Sequence, residues 1–281
     1  MALPPLKTAI SDTYPNPSNA TARTGFGALY DYVVSLPFGQ CRLVKSGANL
    51  VLQRYNGLWL TINDVDRAIP SGGVSLAATG LTVSTNYNIY AYMSGTTMTL
   101  EASTTAHVTD TTTGVEVKSG DVTRTLVGKA RVITGPAWAD TATQRFVISW
   151  FNRRKANMYI QSSSALSTPS GTPQPLLSLD FLTWGDESLH FGTNGTQANN
   201  TLNSVNANSL GIDSTSVNAF VPSNWQAYAN NAQGPAVASY ELAALAEGNH
   251  TVYAQGWVVA GGGTASWTAP SGFELTGQVT V

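Results

Sequence analysis

The chain has 281 residues, enough for two ordinary domains, and 42% of them are hydrophobic, which is sufficient for a packed core. Only 11% are charged, less than half of the usual share of about 25% for soluble domains. Gly, Ser, Thr and Asn fill the difference. This composition excludes a highly charged, disordered chain and favours short strands and many turns in a protein that assembles with others.

The charges divide the chain into three parts. Residues 1–36 are neutral, residues 37–155 carry a net charge of +5, and residues 156–281 carry −7 with no Lys or Arg. A change this sharp predicts a domain boundary near Lys155. We therefore expect an arm and helix at 1–36, a β-sandwich domain at 37–155 and a distal jelly-roll-like β domain at 156–281. The acidic last part should repel nucleic acid, so no nucleic-acid partner is expected.

The first elements are an extended arm and a short helix. Residues 1–20 are rich in Pro, Asn and Ser and have no periodicity, which predicts an extended segment. Residues 21–36 end before Pro37 and carry apolar side chains at helical spacing. These side chains are Phe26, Leu29, Tyr30 and Val33. A helix this short is marginal alone, so we expect its apolar face to contact its own domain or other subunits.

From residue 38 onward the pattern is typical of strands. Asn56-Gly57, between apolar runs at 49–55 and 58–62, predicts a hairpin with a type I′ turn. Ser94-Gly95 predicts a second hairpin, which joins strands at 86–93 and 97–103. Further strands are predicted at 126–133, 145–151, 176–184, 236–246, 251–259, 264–268 and 275–281. A linker or long loop is predicted at 166–175, and a long, ordered, Asn/Ser/Thr-rich excursion is predicted at 193–218.

The sequence offers few candidates for catalysis. Cys41 is the only cysteine, which excludes an intrachain disulfide, and we expect it to be buried. Asp180, Asp186, Glu187 and His190 surround Trp184, and two such carboxylates could cleave a glycosidic bond or bind calcium. Because this composition is common at strand ends, we expect neither activity: the protein should be no enzyme, with no cofactor and no metal.

Aromatic residues of the last part suggest a place for carbohydrate binding. Trp225 and Tyr228 lie in a loop-like stretch between Pro222 and Pro235 and are candidate glycan contacts, since aromatic rings combine apolar faces with polar edges. Tyr253 and Trp257 alternate within an apolar strand pattern, which places them in the core instead.

The start of the chain lacks the basic and apolar regions of a secretory signal, and no apolar run approaches the roughly 20 residues of a membrane span. We therefore expect synthesis in the cytoplasm of a host cell and no membrane insertion.

Two stretches resemble structural proteins of tailed bacteriophages. Residues 11–36, which include Ser11-Asp12-Thr13-Tyr14-Pro15-Asn16-Pro17 and Gly25-Phe26-Gly27-Ala28-Leu29-Tyr30, resemble the amino-terminal segment of tail-fibre-like proteins. Residues 56–101, from Asn56-Gly57-Leu58-Trp59 to Thr99-Leu100-Glu101, resemble a β module of similar phage proteins. The last part is similar only in outline to the jelly-roll heads of trimeric fibres.

The resemblance implies a location in the virion, a homotrimer, and contacts with other virion proteins through the amino-terminal arm. The implied contact residues are Tyr14, Phe26, Leu29, Tyr30 and Val33, and the distal domain would bind a host surface glycan. The chain is short and lacks a long shaft, which leaves a capsid decoration or head-fibre protein as the alternative. A carbohydrate-degrading depolymerase is the alternative from another class.

Overall fold

The computed structural model describes residues 39–215, 222–242, 245–268 and 272–281. Within these ranges every regular element is a β-strand, which confirms the mostly-β fold class. The helix and arm predicted for residues 1–36 lie outside the described residues. Within the described ranges, no helix is long and apolar enough to cross a membrane. Residues 40–281 form one compact unit.

The first half of this unit contains three sheets around one hydrophobic core. Its strands are β1 (Cys41–Ser46), β2 (Asn49–Arg54), β3 (Trp59–Ile62), β4 (Val65–Ala68), β5 (Val74–Leu76), β6 (Asn86–Ser94), β7 (Thr97–Ser103), β8 (His107–Thr109), β9 (Glu116–Lys118), β10 (Asp121–Ile133), β11 (Ala137–Trp138), β12 (Gln144–Arg145) and β13 (Val147–Ser149). The largest sheet has the order β7-β6-β10-β9-β8, and β11 and β13 also pair with β10. A three-stranded sheet, β1-β2-β5, and the β3-β4 hairpin complete this half.

One of the two predicted hairpins is confirmed. Strands β6 and β7 pair in register up to Ser94 and Thr97, and Gly95 in the turn has a φ of 60°. The hairpin predicted at Asn56-Gly57 is wrong, because β2 pairs with β1 and β5 whereas β3 pairs with β4.

The physical reason lies in Gln40. Its backbone bonds to Tyr55 and Trp59, and its side-chain Oε1 accepts hydrogen bonds from the backbone N–H groups of Leu58 and Trp59. The chain therefore turns around Gln40 and passes from one sheet to another.

The second half is a sandwich of two layers. Its strands are β14 (Lys155–Gln161), β15 (Leu166–Thr168), β16 (Gln174–Thr183), β17 (Leu189–Asn194), β18 (Thr196–Asn199), β19 (Val205–Ile212), β20 (Ser223–Gln226), β21 (Gln233–Pro235), β22 (Ala238–Leu242), β23 (Gly248–Ala260), β24 (Ala265–Thr268) and β25 (Glu274–Thr280). One layer is the five-stranded sheet β12-β16-β23-β19-β20. The other contains two four-stranded sheets, β14-β25-β17-β22 and β15-β24-β18-β21.

The two four-stranded sheets have matching strand orders. Each strand of the first is the sequence neighbour of the corresponding strand of the second, as β17 is of β18 and β24 of β25. The second layer is therefore one long sheet interrupted halfway. This arrangement agrees with the predicted sandwich or jelly-roll-like architecture. Trp257 is buried as predicted, and β23 is the central strand of the five-stranded sheet.

The predicted excursion at 193–218 is wrong, since β18 and β19 belong to the core. Asn199, Asn206 and Asn208 are completely buried. The Asn199 amide donates to the Asn206 side chain at 2.8 Å, and the Asn206 amide donates to the Ala198 carbonyl at 2.9 Å. The Asn208 amide donates to the Thr193 hydroxyl at 3.1 Å. Burying an amide side chain costs little folding free energy when the amide is hydrogen-bonded. A polar composition in this segment therefore does not indicate a surface loop.

The predicted linker or long loop at 166–175 contains β15 and the first two residues of β16, so half of it is strand. The chain bends between these strands at Gly171 and Thr172. Cys41 is fully buried in the first core as predicted, and burial raises the pKa of its thiol to about 12.

Candidate functional site

The acidic residues around Trp184 that the sequence suggested as catalytic candidates make hydrogen bonds and ion pairs within the local structure. Glu187 is buried and accepts hydrogen bonds from the Thr183 hydroxyl and from the backbone N–H groups of Trp184 and Gly185, so it fixes the turn after β16. Both carboxylate oxygens of Asp186 accept from Arg153 Nη1, at 2.6 and 2.8 Å.

Asp180 accepts a hydrogen bond from the Thr251 hydroxyl, its cross-strand neighbour on β23, at 2.7 Å. Each of the three carboxylates thus has a local partner. Within the described ranges, no group of three or more His, Cys, Asp or Glu side chains could hold a metal ion.

A network of charged and aromatic side chains joins the two halves of the compact unit. His107 of β8 bonds to Glu116 through Nδ1 at 2.5 Å and to Glu247, which precedes β23, through Nε2 at 3.2 Å. The ammonium group of Lys129 on β10 also contacts Glu247, and only 8% of the Lys129 side chain is exposed. The rings of Trp150 and Trp184 pack against each other and against His107.

The network shifts the titration of its members. Partial burial alone would raise the pKa of Glu247, but hydrogen bonds from His107 and Lys129 outweigh it and lower this pKa to about 2. The hydrogen bond to Glu247 raises the pKa of His107 against the opposing effect of desolvation, and Glu116 adds to the rise. The network is therefore an ion cluster that favours the protonated imidazole.

The predicted glycan contacts lie together at one edge of the sandwich. Trp225 is on the edge strand β20, and its ring centroid is 6.4 Å from that of Tyr228, with an angle of 76° between the planes. The indole lies on Gly234 so closely that an added Cβ there would be 1.9 Å from Trp225 Nε1. Tyr228 is 74% exposed. The structure thus places an exposed tyrosine beside a partly buried tryptophan whose ring packs on a glycine.

A second polar surface was not predicted. Strands β14, β25 and β17 alternate between buried and more exposed residues, so the outward side of this sheet is polar. Gln278 is the cross-strand neighbour of both Asn157 and His190, and His190 in turn neighbours Glu241. A pocket of about 220 Å³ opens there and is lined by Lys155, Ser188, Leu189, His190, Glu241 and Gln278.

No motif could have revealed this pocket, because its lining comes from four strands that are distant in sequence. The alternating pattern of β14, Lys155 to Gln161, is the one local signal. Tyr14, Phe26, Leu29, Tyr30 and Val33, the predicted contact residues, lie outside the described residues.

Comparisons with known proteins assign no family to the chain. No protein-family model matches the sequence, and no curated protein matches it. Among solved structures, the chain is similar to infectious bursal disease virus, Gx strain, at 10% identity and a TM-score of 0.32, over 72% of this chain and 53% of that one.

The VP2 subviral particle of the same virus gives 11% identity and a TM-score of 0.31, over 69% and 52% of the two chains. The insecticidal delta-endotoxin Cry8Ea1 from Bacillus thuringiensis gives 9% identity and a TM-score of 0.29, over 86% and 52%. The matched part spans about half the length of these proteins. Likenesses of this size assign neither family nor function.

Proposed function

We propose that the protein is a structural component of a virion, a trimeric tail fibre or spike of a tailed phage, which binds a host surface glycan. The observation that carries the binding role is the Trp225–Tyr228 pair, in which Tyr228 is exposed and Trp225 partly buried, at the edge of a compact, charge-poor β unit. The resemblance of residues 11–36 to fibre proteins supports attachment of the amino-terminal arm to other virion proteins.

The surroundings of the aromatic pair favour an uncharged ligand. Asp213 is the only Asp, Glu, Lys or Arg between Ser188 and Tyr240 in the sequence. Asn224, Gln226 and Gln233, on the same and the neighbouring edge strands, are exposed. Aromatic faces can stack on a sugar ring, while amides can donate to and accept from its hydroxyl groups.

We infer that the glycan is bound and not cleaved. A glycosidase needs two carboxyl groups that face one cleft, about 5–10 Å apart. Asp186 is paired with Arg153, Glu187 fixes a turn, and Asp180 bonds across the sheet. The direct test is release of reducing ends from host envelope material. We expect none, and release that is lost on replacing Asp186 and Glu187 by Asn and Gln would contradict the inference.

Particle imaging tests the structural role. An antibody raised against residues 40–281 should label purified phage particles in electron micrographs, at the tail if the protein is a fibre or spike. Labelling at the head would replace the fibre by a decoration protein. Absence of the protein from purified particles would refute a virion role of either kind.

Substitution of the aromatic pair tests the binding role. Trp225→Ala and Tyr228→Ala should each weaken adsorption to host envelope glycan, because each removes an aromatic face. Tyr55→Ala is the matched control, since Tyr55 lies beside Arg42 in the other half. Binding should change little between low and high salt, because charge pairing plays no part at this site. Equal binding by all three variants would contradict the assignment.

A further inference from the structure

The pocket on the outward side of the β14-β25-β17-β22 sheet is built by one side chain from each of its four strands. Lys155, Gln278, His190 and Glu241 come from β14, β25, β17 and β22 in that spatial order. Lys155 is in register with Thr280, two residues along β25 from Gln278, so with neighbouring strands about 4.8 Å apart the backbones at Lys155 and Glu241 are separated by roughly 16 Å. The basic and acidic groups therefore stand on opposite sides of the pocket, with Gln278 and His190 between them.

The two charged groups of this pocket are not neutralised by the protein. Within the part of the chain that the structure describes, neither the Lys155 ammonium nor the Glu241 carboxylate has a hydrogen-bond or ion-pair partner. The other carboxylate on this sheet face does have protein partners. Glu274 accepts hydrogen bonds from the Tyr159 hydroxyl at 3.4 Å and from the Asn194 amide at 3.4 Å. The unpaired charges are thus a local feature of the pocket.

The arrangement of charges restricts the class of ligand. A ligand with a single charge could pair with only one of these two groups. An uncharged polyol can bond to either group, because each hydroxyl can donate to the Glu241 carboxylate or accept from the Lys155 ammonium and the Gln278 amide.

The size of the pocket limits the ligand to one small unit. Its volume of about 220 Å³ corresponds to roughly seven water molecules at about 30 Å³ each. A single pyranose ring with its hydroxyl groups is of this order, whereas a folded oligosaccharide is larger. We propose that this pocket binds one neutral pyranose residue of a glycan, at a site separate from the Trp225–Tyr228 pair.

The test uses the full chain and defined methyl pyranosides of glucose, galactose, mannose and N-acetylglucosamine as probes. Saturation-transfer NMR on the Trp225→Ala variant reduces the contribution of the aromatic pair, so a remaining signal that depends on Glu241 reports on the pocket. Glu241→Gln in that background should weaken this binding about tenfold, because it replaces a charge-assisted hydrogen bond by a neutral one. Lys155→Met should weaken it as well.

Glu274→Gln is the matched control, since it makes the same chemical change on the same sheet face outside the pocket. Binding to this variant should equal that of its parent. Three results would overturn the proposal: no pyranoside binds the Trp225→Ala variant, Glu241→Gln binds as well as its parent, or the control loses binding equally. Competition by glycine that depends on Glu241 would identify a zwitterion site and overturn the sugar assignment. None of these results bears on the aromatic pair, whose own test uses different substitutions.

Discussion

At the residue scale, Lys129 is the clearest case of a charge whose burial depends on one partner. Its side chain is 8% exposed, its ammonium lies 5.0 Å from the Trp184 ring centroid, and it contacts the carboxylate of Glu247. Removing one partner of a buried ion pair leaves the other charge uncompensated. Such a substitution therefore lowers the free energy of unfolding by more than the ion pair itself contributes.

We predict that Glu247→Gln lowers the free energy of unfolding by about 3 kcal/mol, measured by denaturant titration. Asp186→Asn is the control, because Asp186 is 61% exposed and its pair with Arg153 should contribute less than about 1 kcal/mol. Equal losses in both variants would show that Lys129 finds another partner or solvent when Glu247 is replaced.

His107 makes stability depend on pH. Its pKa is raised in the folded protein, so its contribution is fully present below the unfolded value of about 6.5 and is lost as pH rises through the folded pKa. We predict that the free energy of unfolding falls over this window and that His107→Gln flattens the fall. His190→Gln, at an exposed position, should leave it unchanged. A wild-type profile identical to that of His107→Gln would contradict the prediction.

At the element scale, the two layers of the second half are in close contact at Gly256 on β23. An added Cβ there would lie 2.4 Å from Cζ2 of Trp267, which belongs to β24 in the facing layer and is fully buried. We predict that Gly256→Ala destabilises by about 1–3 kcal/mol, because a packed indole must move. Gly72→Ala meets no atom within 4 Å and should change stability by less than about 0.5 kcal/mol. Thermal unfolding of both variants checks the difference.

Element types were predictable from the sequence where the local pattern decided them. The β6–β7 hairpin follows from alternating apolar residues around Gly95, and the centrality of β23 follows from apolar residues on both of its faces. The partner of β3 was not predictable, because the contacts of Gln40 decide it. The core position of Asn206 and Asn208 was also missed, because hydrogen bonds within the fold, not composition, allow amides to be buried.

The candidate site was predictable to a similar extent. The exposure of Tyr228 followed from its loop-like surroundings, whereas the pairing of Asp186 with Arg153 and the role of Glu187 in a turn depend on folding. The Lys155–Glu241 pocket joins residues of four strands, and only the sheet order brings them together.

At the scale of the whole molecule, we expect the subunit contacts of the proposed trimer to lie in residues 1–39. Residues 40–281 form a compact unit with two cores, so they should fold without residues 1–39. We predict that the full chain is a trimer in light scattering at micromolar concentration and that residues 40–281 alone are a folded monomer. Leu29→Ser in the full chain should also yield monomer, with Ala28→Ser as control. A monomeric full chain would refute the trimer.

The short strand β12 has a consequence for how the chain can be divided. Gln144–Arg145 precedes the change of charge at Lys155, but it pairs in parallel with Asp180–Phe181 of β16. Three other side chains that precede Lys155 also belong to the core of the second half: Tyr90, Phe146 and Ile148. Fragments cut between Trp150 and Lys155 would each expose apolar surface that the other normally covers. When expressed together, they should reassociate by complementation, so this connection is the place at which the protein could be split into a two-part reporter of its own folding.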